Sequence, residues 1–196
     1  MTDAIKRFND QIKKATKIAI TTHIHPDADG IGSEIALCMA LKKIGKDVVC
    51  VNEKELFERY KYLDPQDVVR SYDDVKDSID KLDLLIVTDT NSLPRIGPNV
   101  QELVLKSQEL LFIDHHPCPK ELAAIHCIDS TKAATGELVA ELIESLGLKI
   151  DKEMALALYT SIIIDTSSFR YPTVTGNTHK IIYKTLRCWS QSTSGL

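Results

Sequence analysis

Apolar and polar positions recur along this chain with two different periods, and the switches between them outline its elements. Residues 3–16 are mostly polar with an apolar stripe, the pattern of an amphipathic helix. KIAITT at 17–22 predicts a strand that ends at His23. From Gly30 the spacing turns helical. Ile31, Ile35, Leu37, Cys38, Leu41 and Ile44 fall on or near one face, and Gly45 supplies a stop. DVVCV at 47–51 is a second strand, ERYKYLDPQD is turn-like, and the charged stretch Asp73 to Lys81 predicts a solvated helix. LLIVT at 84–88 and ELLFI at 109–113 are unbroken apolar runs, as in strands buried on both faces. They end at Asp89 and Asp114. ATGELVAELIESLG at 134–147 reads as an amphipathic helix stopped by glycine. KEMALALYTSIII at 152–164 reads as a buried helix with Asp165 at its far end. A last helix is predicted from Asn177 to Trp189, and SQSTSGL as a frayed polar tail. Strands alternate with helices through the first two thirds. The expected fold is α/β, a mostly parallel sheet flanked by helices on both faces.

Composition narrows the class. A chain of 196 residues can bury one full core, so a single domain over 1–188 and a tail over 189–196 are expected. No apolar run is long enough to cross a bilayer. The opening MTDAIKRFNDQIKKATK lacks the apolar centre and cleavage site of a signal peptide, and a cytoplasmic location is the expectation. The five cysteines form no C-x-x-C pair, which argues for reduced, mostly buried thiols over a zinc knuckle or a disulfide framework. A net charge of -4 argues against a broad footprint on duplex nucleic acid. A small anionic substrate is compatible with it if metal cations offset carboxylates locally.

The unusual residues follow predicted strands. HIHPDADGIGS places His23, Asp27 and Asp29 after the first, Asp89 follows LLIVT, and His115 follows LLFI within the triplet DHH. In open α/β sheets, ligands gather outside the carboxyl ends of the strands, and parallel strands would bring these three ends to one edge. Imidazole and carboxylate together suit manganese, iron, cobalt or zinc better than calcium. A helix opening at Gly30 would aim backbone N–H groups at an anion held there. Two metals could share one carboxylate, and Asp89, alone at the end of an apolar strand, is a natural bridge. Each piece also has a bland reading. H-x-x-x-D-x-D can be a turn with helix-capping aspartates, at even odds with metal. Asp89 alone reads as a strand-end polar residue, and Asp165 alone as a helix end. The concentration of four of the six histidines in HIHPDAD and DHH tips the balance. His25, His126 and His179 show no partners in sequence, so exposed or capping roles are expected for them rather than ligation.

With HIHPDADGIGS, VTDTN, DHH and IIIDTSSFRY in that order, the chain resembles the DHH phosphoesterase family. It is similar in particular to the bacterial nanoRNases that also dephosphorylate 3'-phosphoadenosine 5'-phosphate. ERYKYLDP, NSLPRIG, ATGELVAELIESLG and FRYPTVTGNTHKI extend the likeness over roughly residues 15 to 186. The resemblance implies a metal-dependent phosphohydrolase that cleaves short oligoribonucleotides or 3'-phosphoadenosine 5'-phosphate with a two-metal-activated hydroxide. It implies one metal on His23, Asp27 and Asp89, and a second on Asp29, Asp89, His115 and Asp165, with manganese the usual ion. Asp114 would orient an imidazole, His116 would meet the phosphate as donor or proton relay, and Arg170 would contact phosphate. Ser33 would cap the helix or touch the phosphate.

Two departures stand out. Ser161 and Ser167 occupy positions where those proteins often carry glycine, which would tighten the backbone near Asp165. The basic, glycine-rich C-terminal domain that grips substrate in the family is not seen in this sequence. Weak turnover is therefore expected, and exposed apolar surface would favour a homodimer. Hydrolysis of pyrophosphate, polyphosphate or cyclic dinucleotides is the alternative within the family. A non-catalytic metal-binding remnant is the alternative outside it.

Overall fold

The computed structural model describes residues 2–118 and 125–190. Six strands form one all-parallel sheet: β1 (Lys17–Thr21), β2 (Asp47–Asn52), β3 (Val69–Ser71), β4 (Leu82–Thr88), β5 (Ser107–Asp114) and β6 (Ile125–Ile128). Their order is β3-β2-β1-β4-β5-β6. The chain winds outward from β1 through β2 to β3, then returns to the other side of β1 with β4. That reversal makes a topological switch point between β1 and β4, where the loops leaving the two strands part and open a crevice. Ile20 pairs with Ile86 and Thr21 with Val87, so both strands end at the same height.

Strand alternation divides the core in two. Ile18, Ile20, Leu84, Ile86, Leu111 and Ile113 face one layer. Ala19, Leu85, Val87 and Phe112 face the other. The first layer holds α1 (Thr2–Lys14), α2 (Ala28–Lys43), α5 (Thr135–Ser145), α6 (Lys152–Asp165) and α7 (Gly176–Ser190). The second is thinner, with α3 (Tyr72–Val75), α4 (Glu102–Lys106) and the 3-10 turn Leu93–Ile96. α2 is buried on every side from Ala28 to Leu41 and packs chiefly on α6, as expected of a helix that is apolar all round. Gly32 permits this closeness, because a Cβ there would collide with the Ala157 carbonyl.

The sequence expectations differ from the structure at identifiable points. α2 begins at Ala28, not Gly30, because Asp27 caps it. The solvated helix expected over 73–81 is the single turn α3. Asp77 and Asp80 fall where its C-terminal half would lie, and acidic groups there oppose the helix dipole. Val69–Ser71 and Ile125–Ile128 are strands too short to show a period. Residues 191–196, most of the expected tail, lie outside the described residues, while 189 and 190 continue α7. Among the described residues no disulfide forms, Cys38, Cys50 and Cys127 are buried, and no helix is long and apolar enough to cross a membrane.

Candidate metal centre

The switch point is where the polar residues meet. His23 lies just past β1, and Asp89 lies directly past β4 with a left-handed backbone, φ 60°. For a non-glycine residue that conformation costs about 1–2 kcal/mol, and such residues gather at functional sites. The turn between β1 and α2 supplies Asp27, and the first turn of α2 supplies Asp29. Asp27 accepts the N–H groups of Asp29 at 2.9 Å and Gly30 at 3.3 Å. These amides are therefore taken by Asp27, and the anion site expected at Gly30 loses its donors. Ser33 does not cap the helix; its hydroxyl donates to Asp29 Oδ1 at 3.3 Å.

Asp89 turns its two oxygens to opposite sides. Oδ2 faces His23 Nε2 at 3.4 Å, and Oδ1 faces His115 Nε2 at 3.9 Å. His115 Nε2 also lies 3.3 Å from Asp165 Oδ2 and 3.8 Å from Asp29 Oδ2. It is buried yet has no hydrogen-bond partner. The other ring nitrogen, Nδ1, faces the Lys132 carbonyl at 3.4 Å. A proton on Nδ1 would leave the Nε2 lone pair pointing among three carboxylates, which is how an imidazole is held ready for a metal. Three groups offer ligand atoms within 4.8 Å of one another: His23, Asp27 and Asp89; Asp29, His115 and Asp165; Asp89, His115 and His116. The donor set of neutral imidazole and carboxylate fits a divalent transition ion.

The electrostatics agree with that fit. Burial, then the charge of Asp29 and Asp27, holds the Asp89 carboxyl well above the usual carboxylate range. Burial, then Asp29, pushes Asp165 up to about 6. Burial also raises Asp29, opposed by His115 and by bonds from Ser161, Thr135 and Gly136. These are crowded acids, and a bound divalent ion would favour their charged forms. Burial lowers His23, with Arg95 and His116 adding to it against Asp27. His116 moves upward, because its Nδ1 bonds Asp114 Oδ1 at 2.8 Å. Asp114 also accepts the His116 backbone N–H at 3.1 Å and is fully buried.

Arg170 stands apart from this cluster. It is exposed, and its guanidinium donates to the Ser167 carbonyl at 2.7 Å and hydroxyl at 2.9 Å. In doing so it holds a left-handed run, Ser167, Ser168 and Phe169, with φ of 50°, 59° and 66°. Ser161 is buried and donates to Asp29 Oδ1 at 2.5 Å. Sequence reasoning passed over Arg95 and Thr135. NSLPRIG carried the first and ATGELVAEL the second, but neither residue looks chemical in isolation. A cavity of about 330 Å³ opens from the cluster past His115, His116 and Asp165 to Ser130, Lys132, Tyr171 and Thr173. A larger one, about 480 Å³, lies beside Lys61, Asp64 and Arg70 and contains none of the clustered side chains.

The family model for the DHH family, N-terminal domain, matches residues 17–162, and the chain belongs to that family. It is 31% identical over 86% of its length to a bifunctional oligoribonuclease and PAP phosphatase NrnA of Thermus thermophilus, covering 50% of that protein. It is 29% identical over 82% of its length to a manganese-dependent inorganic pyrophosphatase of Methanothrix thermoacetophila, covering 51% of it. Among solved structures, an exopolyphosphatase-related protein of Bacteroides fragilis superposes with a TM-score of 0.87 at 28% identity. That match covers 96% of this chain and 57% of the other. The chain spans about half the length of the curated relatives it matches.

Proposed function

We propose that this chain is the metal-holding domain of a phosphohydrolase acting on short oligoribonucleotides or 3'-phosphoadenosine 5'-phosphate. One observation carries the reading: Asp89, at the switch point, presents one oxygen to His23 and the other to His115. His23, Asp27 and Asp89 would hold one divalent ion; Asp29, Asp89, His115 and Asp165 would hold a second. Bound there, the ions supply Lewis acidity toward a phosphoryl oxygen and an acidified water as nucleophile. The manganese-dependent relative supports manganese as the ion, and the oligoribonuclease relative supports the substrate class.

The chain's own residues do the rest. His115 is fixed through Nδ1 by the Lys132 carbonyl. His116 is fixed through Nδ1 by Asp114, which favours its protonated form and leaves Nε2 to pass a proton to the leaving oxygen. Arg95 adds positive charge near both His23 and His116, where a phosphate would draw up. Ser130, Tyr171 and Thr173 offer hydroxyls to a sugar or base in the adjoining cavity.

The test is a panel assay of this chain with manganese, offering dinucleotide RNA, 3'-phosphoadenosine 5'-phosphate and pyrophosphate. The expected result is release of nucleoside monophosphate, lost in Asp89→Ala. Faster hydrolysis of pyrophosphate than of either nucleotide substrate would transfer the reading to the pyrophosphatase branch. Hydrolysis unchanged in Asp89→Ala would remove the metal-centred account.

A further inference from the structure

The first residue of α5 touches two of the clustered carboxylates at once. Thr135 is fully buried. Its backbone N–H donates to Asp29 Oδ2 at 2.8 Å, and its hydroxyl donates to Asp89 Oδ1 at 3.0 Å. The two acids come from different segments, one in the first turn of α2 and one just past β4, so a single residue of a third element ties them together. On its other side lies Gly30, where an added Cβ would stand 3.3 Å from Asp89 Oδ2, so the missing side chain leaves that oxygen room. The Thr135 hydroxyl supplies the only directional contact to Oδ1 among the described hydrogen bonds.

We infer that Thr135 is a positioning residue of the metal centre. Its hydroxyl sets the rotation of Asp89 so that Oδ2 serves the His23 side and Oδ1 the His115 side. Its N–H holds the Asp29 oxygen that faces His115. A carboxylate oxygen has lone pairs for both a hydroxyl and an ion, so the bond and coordination are compatible. Groups that orient metal ligands typically change affinity by about 10- to 100-fold when removed. The inference rests on the proposed metal site.

The decisive pair of variants is Thr135→Val, which keeps shape and N–H but removes the hydroxyl, and Thr135→Ser, which restores it. Manganese binding to the substrate-free chain is followed by the paramagnetic resonance of free Mn2+. Cobalt absorption spectra report the ligand field. Thr135→Val should bind manganese about 10- to 100-fold more weakly, with an altered cobalt spectrum and wild-type circular dichroism, and Thr135→Ser should recover both. Should Thr135→Val fail to fold, Thr135→Ala provides the same comparison with less crowding. Wild-type affinity and spectrum in a folded variant lacking the hydroxyl would overturn the inference while leaving the metal site standing. A wild-type chain that binds no manganese would overturn the site itself and this inference with it.

Discussion

Asp29 Oδ1 accepts the backbone N–H of Gly136 at 3.0 Å, across 107 residues of chain. Thr135 donates its own N–H to Oδ2. The residue before α5, Ala134, has no capping side chain, so Asp29 acts as the missing N-cap from the neighbouring helix α2. An acid of the candidate metal centre is thereby also a fastener between α2 and α5. Gly136 has to be glycine for this, since a Cβ would strike the Ser161 hydroxyl that bonds the same oxygen.

Replacing Asp29 by Ala therefore disturbs folding as well as metal binding. Loss of the cap and of a partner for buried donors should lower stability by roughly 2 kcal/mol. Urea unfolding of the metal-free protein measures it. Unchanged stability would mean that the burial cost of the carboxylate cancels its four hydrogen bonds.

Ser167 occupies a left-handed conformation, φ 50°, two residues past the end of α6 at Asp165. Ser167→Gly should stabilise the protein by roughly 0.5–1 kcal/mol, the relief of strain outweighing the entropy of glycine. Thermal unfolding reports the sign. A destabilised variant would show that the bond from Arg170 to the Ser167 hydroxyl matters more than the backbone.

Glu34 is fully buried, and burial holds its carboxyl well above its ordinary 4.5 despite a bond from Asn52 Nδ2 at 2.6 Å. Its folded-state pKa exceeds the unfolded one, so its contribution to stability is complete below pH 4.5. That contribution is lost as pH rises toward the raised value, at up to about 1.4 kcal/mol per pH unit. Glu34→Gln should flatten this fall, and the amide oxygen can still accept from Asn52. Denaturant unfolding at several pH values, wild type against variant, gives the slope; parallel curves would refute a shifted Glu34.

Metal uptake should release protons at mildly acidic pH. Asp165 is pushed up to about 6, mainly by burial, and has to be ionised to bind a cation. Manganese affinity should fall as pH drops through 6, with proton release seen by calorimetry in buffers of different ionisation enthalpy. Affinity flat from pH 5 to 8 would exclude Asp165 as a ligand.

Much of the architecture was legible because β1, β4 and β5 are long, apolar and end in a polar residue. That pattern placed His23, Asp89 and His115 at one edge before any coordinates. Val69–Ser71 and Ile125–Ile128 were not legible, because three or four residues carry no period. Within the site, residue types with known metal chemistry stood out, whereas Thr135 and Ser161 did not. A hydroxyl on a helix has many ordinary uses, and only the folded chain shows which carboxylate it meets. Ser33 and Arg170 each bond a residue three or four positions earlier, Asp29 and Ser167, pairings that their residue types do not announce.

The central claim is that Asp89 joins two ion sites in one cage. Manganese titration of the chain, followed by electron paramagnetic resonance, tests it most directly. The account predicts two ions per chain with a spin-coupled signal in the wild type, and loss of that coupling in Asp89→Ala. A single uncoupled ion at saturation, or a coupled pair that survives Asp89→Ala, would contradict it.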